Sequence, residues 1–411
     1  MTQNAFEILK ERGFVAQTND EAAIRGALAE KVLTYYIGFD PTASSLHCGS
    51  LVPIMAMAHL QRAGHKPVAL VGGGTAAVGD PSGKTEMRQM LSYADISANG
   101  RGILGQLQRY LQLDGVAGMS ANNADWLMQL NYIDFLRDIG RYFRVNEMIR
   151  ADAYRARLER EEGLSFIEFN YQLLQAYDYL QLFERHGCTL QMGGDDQWSN
   201  ILAGTDLIRR KHSSQAFCIT FPLLTTARGE KMGKTAAGAV WLDAERTRPY
   251  DFYQYWINTD DRDVRKFLAL FTFLPMAEVE RLGAAQGAEL NAAKEVLAYE
   301  ATRLCHGEGA ADEARSAAKA AFGGGGDLSA MPSTTVTADR LAGGIAVLDL
   351  FVETGLTPSK GEARRLVQQG GAYVNDTVIS DAQARVTAAD LKDGAVLLRA
   401  GKKKYHRVLA G

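Results

Sequence analysis

Two short apolar runs, residues 33–39 and 67–71, bracket a polar loop and a stretch, 50–61, that carries Leu51, Ile54, Met55 and Ala58 at helical spacing. A strand, a helix and a strand so close in sequence favour a parallel pair joined by a right-handed crossover. Repeated, that unit gives a parallel sheet flanked by helices, so the expected class is α/β. Ligands of such sheets bind beyond the carboxyl ends of the strands, which places the loop at 40–50 where a ligand would sit.

The chain has 411 residues, too many for one ordinary core, and two or three domains are expected. From about residue 121 to 183 the pattern turns helical and reads as an insertion. Residues 250–320 are again helical and rich in alanine. The run Gly323, Gly324, Gly325, Gly326, continuing through Gly343 and Gly344, reads as a linker at 323–344. Beyond it, Ser359 and Glu362 have capping-box spacing, Gly370 and Gly371 can end that helix, and Asn375-Asp376 looks like the turn of a hairpin. The tail is therefore a small α+β module, 345–411.

Composition narrows the function classes. No apolar run reaches membrane-spanning length, and the first residues, MTQNAFEILKERGF, form an amphipathic helix without the apolar core of a secretory signal; a cytoplasmic protein is expected. The four cysteines are scattered, so reduced thiols are expected instead of a disulfide framework or a zinc knuckle. The seven histidines form no metal-binding spacing, and any metal should arrive with a ligand. Residues 344–411 hold ten Lys and Arg against seven Asp and Glu on an otherwise acidic chain, which suits a polyanion partner or simply a solvated face.

Three loops could hold phosphates. In DPTASSLHCGS, 40–50, a strand end runs into a helix start, where amides point outward and His47 can donate to phosphate oxygens; His47 could equally cap the helix. In GGGTAAVGDPSGKT, 72–85, Gly72, Gly74 and Ala77 mimic a dinucleotide fingerprint after the wrong strand, and Gly83-Lys84-Thr85 mimics a P-loop whose earlier glycine is misplaced. In RGEKMGKT, 228–235, Lys231 and Lys234 flank a glycine and could close over a triphosphate, although alone this reads as a surface turn. The pairing of the first and third loops matters more than either loop alone.

The motif HCGS, 47–50, resembles the HIGH signature of class I aminoacyl-tRNA synthetases, and KMGKT, 231–235, resembles their KMSKS signature. YIGFDPT, VGDPSGKTEMR, YQLLQAYD and QMGGDDQWSN together look like bacterial tyrosyl-tRNA synthetases, and the likeness covers essentially the whole chain. The resemblance implies a Rossmann-type catalytic domain at 1–225 with its helical insertion near 121–183. It also implies an α-helical domain with the KMSKS-like loop at 226–322 and an RNA-binding domain at 345–411.

By the same resemblance, Tyr36 and Asp178 would meet the phenol of tyrosine, and Asp80, Tyr171 and Gln175 its ammonium group. Asp40, Gly49, Ser50, Gly194, Asp196, Gln197 and Thr235 would contact ATP. Thr42, His47, Lys84, Arg88, Lys231 and Lys234 would stabilise the transferring phosphate. Arg364, Arg365, Lys402, Lys403 and Lys404 would bind RNA. Implied ligands are L-tyrosine, ATP with Mg2+ as substrate, and tRNA(Tyr), with a homodimer assembled through the helical insertion and no tightly bound cofactor. An unpaired buried carboxylate would reject phenylalanine, a discrimination for which this family is itself the standard illustration. Cys48 and Ser50 depart by replacing an aliphatic residue and the second histidine, where serine lacks imidazole's reach; Gly233 and Thr235 also depart from the KMSKS pattern, though glycine and threonine suit a mobile phosphate loop. Tyr171, Gln175 and Asp178 alone could be an ordinary amphipathic face. A nucleotidyltransferase for another small molecule, or an RNA-binding scaffold without catalysis, is disfavoured by the tyrosine pocket and by intact His47, Lys231 and Lys234.

Overall fold

The expected strand, helix and strand form as read. The computed structural model describes residues 4–82, 90–151, 154–155, 158–159, 164–229, 231–235, 238–323, 331–375, 377–392, 394–401 and 404–411. It separates into two units, Met1–Gly307 and Glu308–Gly411. Among the described residues the first unit has a sheet of six strands: β1 (Gln17–Thr18), β2 (Thr34–Phe39), β3 (Lys66–Val71), β4 (Met119–Asn122), β5 (Cys188–Gly194) and β6 (Phe217–Phe221). Their order is β1-β6-β5-β2-β3-β4, and every neighbouring pair is parallel except β1 with β6. From β2 the chain builds outward to β3 and β4, then returns to lay β5 and β6 on the other side. The carboxyl ends of β2 and β5 thus flank a topological switch point, where the connections part and leave a crevice.

Helix Leu51–Arg62 crosses from β2 to β3 and is buried nearly all round, with Leu51, Val52, Ile54, Met55, Ala56, Met57, Ala58 and Leu60 covered. The sheet lies on one side and helix Val264–Phe271 packs on another. That helix belongs to a group with Pro249–Ile257, Met276–Gly283 and Ala288–His306, whose core includes the edge-to-face rings of Phe252, Trp256 and Phe267.

The helical insertion starts later than its expected boundary of 121. Ala121 and Asn122 are the end of β4, paired with Leu70 and Val71. A four-residue edge strand with Ser120 exposed presents no apolar run, so its periodicity is invisible. The helices then follow at Ala124–Leu127, Tyr132–Asp138, Val145–Met148 and Phe166–His186.

In the second unit a five-stranded sheet runs in the order Thr377–Val378, Ala372–Val374, Ala395–Ala400, Lys404–Ala410, Ser333–Val336. The last strand corrects the expected linker at 323–344. Ser333–Val336 lies parallel to Lys404–Ala410, helix Ala338–Ala342 follows, and Val336 and Leu341 enter this unit's core. The β-branched run Thr334, Thr335, Val336 favours a strand despite the glycines before it. Residues 324–330 lie outside the described residues. Helix Lys360–Gln368 begins where Ser359 Oγ accepts from the Glu362 amide (3.3 Å), and Asn375 turns the hairpin at φ +47°.

Candidate functional site

A cleft of about 700 Å³ opens at the switch point. One wall is helix Phe166–His186, started by a reciprocal capping box between Ser165 and Glu168. Tyr171, Gln175 and Asp178 recur on one face of that helix and all line the cleft. They are therefore more than an amphipathic stripe. Asp178 is 2% exposed, and its Oδ1 accepts from Trp126 Nε1 (2.7 Å) while Oδ2 accepts from Asn123 Nδ2 (2.9 Å). Burial pushes the Asp178 carboxyl up to about 7; the two hydrogen bonds pull it back and the charge of Asp40 pushes it further. Tyr36 on β2 and Gln191 on β5 are cross-strand partners lining the same cleft, and the Tyr36 hydroxyl and Gln191 Oε1 are buried without a hydrogen-bond partner among the described residues. Each such orphan costs about 1–3 kcal/mol, so a pocket holding two beside a buried carboxylate is built for a polar ligand.

Asp40 follows β2 directly. Its Oδ2 accepts from the Tyr171 hydroxyl (3.0 Å) and its Oδ1 from Thr75 Oγ1 (2.7 Å). Asp80 accepts from the Ser82 amide (2.9 Å) and from Gln197 Nε2 (2.8 Å), which ties the loop after β3 to the turn after β5. The adjacent aspartates diverge. Asp196 lines the cleft, its carboxyl raised by burial and by the nearby Asp80 charge. Asp195 is held elsewhere by Gln17 Nε2 and Thr220 Oγ1, both at 2.7 Å.

The two signature loops meet at the other end. His47 Nδ1 accepts from the Gly49 amide (3.0 Å), which places the proton of a neutral ring on Nε2, so His47 both caps this turn and lines the cleft. The edge of Trp241 meets the His47 ring at 6.2 Å. The Cys48 amide donates to Val240 O (2.8 Å), and the Val240 amide donates to Gly233 O (2.9 Å). Gly49, Ser50, Gly194, Lys231 and Met232 complete this end. Ser50 makes no side-chain capping bond to the helix it precedes.

Of the expected residues, Thr42 stands apart: its amide closes a turn onto Asp40 O (2.8 Å), leaving the side chain exposed outside the cleft wall. Lys84, Arg88, Lys402 and Lys403 lie outside the described residues, as do the side chains of Lys234 and Thr235, whose backbone forms a hairpin with Gly238–Ala239. In the second unit Arg365 and Lys404 line one groove with Glu362 and Gln369, while Arg364 is exposed on the same helix as Arg365. Sequence reasoning missed Thr75, Asn123, Trp126 and Gln191. The available hint was the polar pair Asn122-Asn123 just ahead of a tryptophan.

With this geometry in hand, the comparisons are specific. The family described as tRNA synthetases class I (W and Y) matches residues 28–323, and the tyrosine–tRNA ligase SYY-like C-terminal domain matches 326–408. The tyrosine–tRNA ligase of Desulfosudis oleivorans is 57% identical over 98% of each chain, and that of Clostridium tetani is 52% identical over the full length of both. A C-terminally truncated mitochondrial tyrosyl-tRNA synthetase from Aspergillus nidulans superposes with a TM-score of 0.69 at 31% identity, covering 76% of this chain and 92% of that one. The Archaeoglobus fulgidus tyrosyl-tRNA synthetase, solved with L-tyrosine, shares the fold at 18% identity and a TM-score of 0.57, covering 76% of this chain and 99% of that one. A switch-point cleft with an acid-lined pocket at one end and two signature loops at the other, on a chain matched end to end, places this protein in the class I aminoacyl-tRNA synthetases, as a member of the tyrosine–tRNA ligase family.

Proposed function

We propose the following assignment of roles within tyrosine activation and transfer to tRNA. The phenol of tyrosine enters beside Asp178 and Tyr36, donating its proton in a hydrogen bond to the Asp178 carboxylate. The observation that carries this is the pair of orphaned buried atoms, Tyr36 Oη and Gln191 Oε1, in one pocket with Asp178. The ammonium group lies among Tyr171, Gln175 and Asp80, and the carboxylate faces Gln197. ATP spans from Asp40, Gly194 and Asp196 to the His47 and Lys231 loops, with Mg2+ carried in on its phosphates as part of the substrate.

A tyrosine carboxylate oxygen then attacks the α-phosphorus in line. The new P–O bond forms as the bond to the bridging oxygen breaks, and pyrophosphate leaves with that electron pair. The chain supplies position and positive potential, with the His47 Nε2–H as a hydrogen-bond donor beside Lys231 at the leaving end, and Lys84, Arg88 and Lys234 as further cations. The terminal ribose hydroxyl of tRNA next attacks the tyrosyl carbonyl and displaces AMP. The second unit holds the tRNA, with Arg364, Arg365 and Lys402 to Lys404 on its phosphates.

Because the strand Ser333–Val336 belongs to the tail sheet, the informative truncation removes residues 324–411 instead of 345–411. The crystallised truncated relative supports a body that folds without its tail. Tyrosine-dependent exchange of labelled pyrophosphate into ATP is expected to persist in the truncated enzyme. Charging of tRNA should fall by roughly a hundredfold or more, on the scale of several lost phosphate contacts. Parallel loss of both activities from a folded body would refute the tail's assignment.

Exposed apolar side chains concentrate in the helical insertion: Tyr132, Ile133, Val145, Ile149 and Phe166. A second copy of the chain is the proposed cover. Light scattering should give a dimer that Ile133→Asp combined with Phe166→Asp converts to a monomer; a monomeric parent enzyme would end this reading. The cytoplasm is the proposed site of action. Among the described residues no helix is long and apolar enough to cross a membrane.

A further inference from the structure

The glycine run at 72–74 and the Thr75 that follows it have no part in the roles above. Thr75 is 3% exposed, and its hydroxyl has one proton, donated to Asp40 Oδ1 (2.7 Å). Thr75 Oγ1 in turn accepts from Asn123 Nδ2 (2.8 Å), which also donates to Asp178 Oδ2 (2.9 Å). The Asn123 amide cannot flip, because its Oδ1 accepts from the Gly74 amide (2.7 Å). Three hydrogen bonds therefore connect Asp178, at the phenol end, with Asp40, at the nucleotide end. The glycines make room for this. A Cβ on Gly72 would fall 2.0 Å from Asp40 Oδ1 and 2.6 Å from Thr75 Oγ1.

We propose that Thr75 is a positioning residue that couples the two ends of the site, its hydroxyl orienting Asp40 for ATP in register with the Asn123–Asp178 pair that receives tyrosine. The inference rests on the assignment of Asp178 to the phenol and Asp40 to the nucleotide. The chain of donors is directional: Asn123 gives a proton to each neighbour and Thr75 gives its own to Asp40. Neither carboxylate can turn without leaving a buried donor unpaired. The competing explanation is packing, in which the threonine methyl alone fills space.

Two substitutions separate these accounts in the full-length enzyme. Thr75→Val keeps the shape and loses the hydroxyl; Thr75→Ser keeps the hydroxyl and loses the methyl. In pyrophosphate exchange, Thr75→Val is expected to raise the KM for tyrosine and the KM for ATP each by roughly tenfold, the size of one buried hydrogen bond, while Thr75→Ser recovers most of the loss. A normal Val variant beside an impaired Ser variant would make the role packing and overturn the proposal. A raised tyrosine KM with an unchanged ATP KM would also overturn it, since the two ends would then be independent. Should the Val variant not fold, Thr75→Ala compared with Thr75→Ser isolates the hydroxyl, since both lack the methyl, and the difference between them carries the same two-KM expectation. Asp178→Asn assayed alongside tests the underlying assignment separately: retained selectivity for tyrosine over phenylalanine there would remove that assignment whatever Thr75 does.

Discussion

Asp178→Asn is expected to cost roughly a hundredfold in kcat/KM for tyrosine while leaving the residual rate with phenylalanine nearly unchanged, the size of a lost hydrogen bond to a buried charge. Two of the carboxylate's acceptor sites are taken by Trp126 and Asn123, and both of those residues present N–H groups. Asparagine offers a single carbonyl oxygen, so its own amide must point at one of these donors, and the phenol loses an ionised acceptor. Exchange assays with each amino acid give the ratio directly; unchanged selectivity would sink the assignment.

A pH signature accompanies this. With the Asp178 carboxyl raised to about 7, the free pocket holds a proton below that pH and a charge above it. Tyrosine affinity should rise with pH through about 7 and then level off, and the Asn variant should lose that step. Stability moves in the opposite sense. The folded-state value lies above that of an unfolded aspartate, about 4, so between about 4 and about 7 the folded chain keeps a proton that the unfolded chain releases. Folding is favoured by this group at the acid end and loses that contribution as pH rises through the window. The melting temperature of Asp178→Asn relative to the parent should therefore compare better at pH 8 than at pH 5.

The split between what the sequence disclosed and what it concealed follows from the range of the interactions involved. Apolar runs at 33–39 and 67–71 imposed the parallel pair because both faces of β2 and β3 are covered. The helical spacing of Tyr171, Gln175 and Asp178 placed them on one face because a helix is a local object. Thr75, Asn123 and Trp126 were hidden because each acquires its role only through a partner far along the chain: Thr75 meets Asp40, and Asn123 and Trp126 meet Asp178. Short edge elements were hidden for another reason. Met119–Asn122 and Ser333–Val336 are four residues each and carry little apolar pattern of their own, so the neighbouring strand decides their state. The second histidine of the signature is the remaining contrast. Ser50 lines the cleft at the expected place but offers no capping bond, which leaves His47 as the imidazole at that end.

The glycine in KMGKT is where local and long-range reasoning diverge most, and Gly233→Ala is expected to slow tyrosine activation by roughly a hundredfold, the cost of misplacing reacting groups by about an ångström. Read locally, a glycine between two lysines suits a loop that moves over phosphates. In the fold it is a contact residue. Gly233 sits at φ +80°, and a Cβ there would lie 2.7 Å from the Gly49 backbone nitrogen and 3.3 Å from both Cys48 Cβ and His47 Nδ1. Gly49 is equally restricted, since its own Cβ would lie 2.7 Å from His47 Cε1 and 3.0 Å from Met232 O. The two signature loops thus meet glycine against glycine, with the His47 ring locked beside the contact by its bond to the Gly49 amide. A methyl at 233 must push backbone away from backbone, because its nearest neighbour is the Gly49 backbone nitrogen. It also carries the left-handed penalty of about 1–2 kcal/mol. The displacement falls on His47 and Lys231 and spares the pocket around Asp178. Gly233→Ala should therefore lower kcat for pyrophosphate exchange while tyrosine binding, measured by equilibrium dialysis, stays as in the parent. That is the reverse of the pattern expected for Asp178→Asn. A variant with full kcat would mean that the loops need not touch for phosphoryl transfer, and the contact would then be a resting arrangement without a part in catalysis.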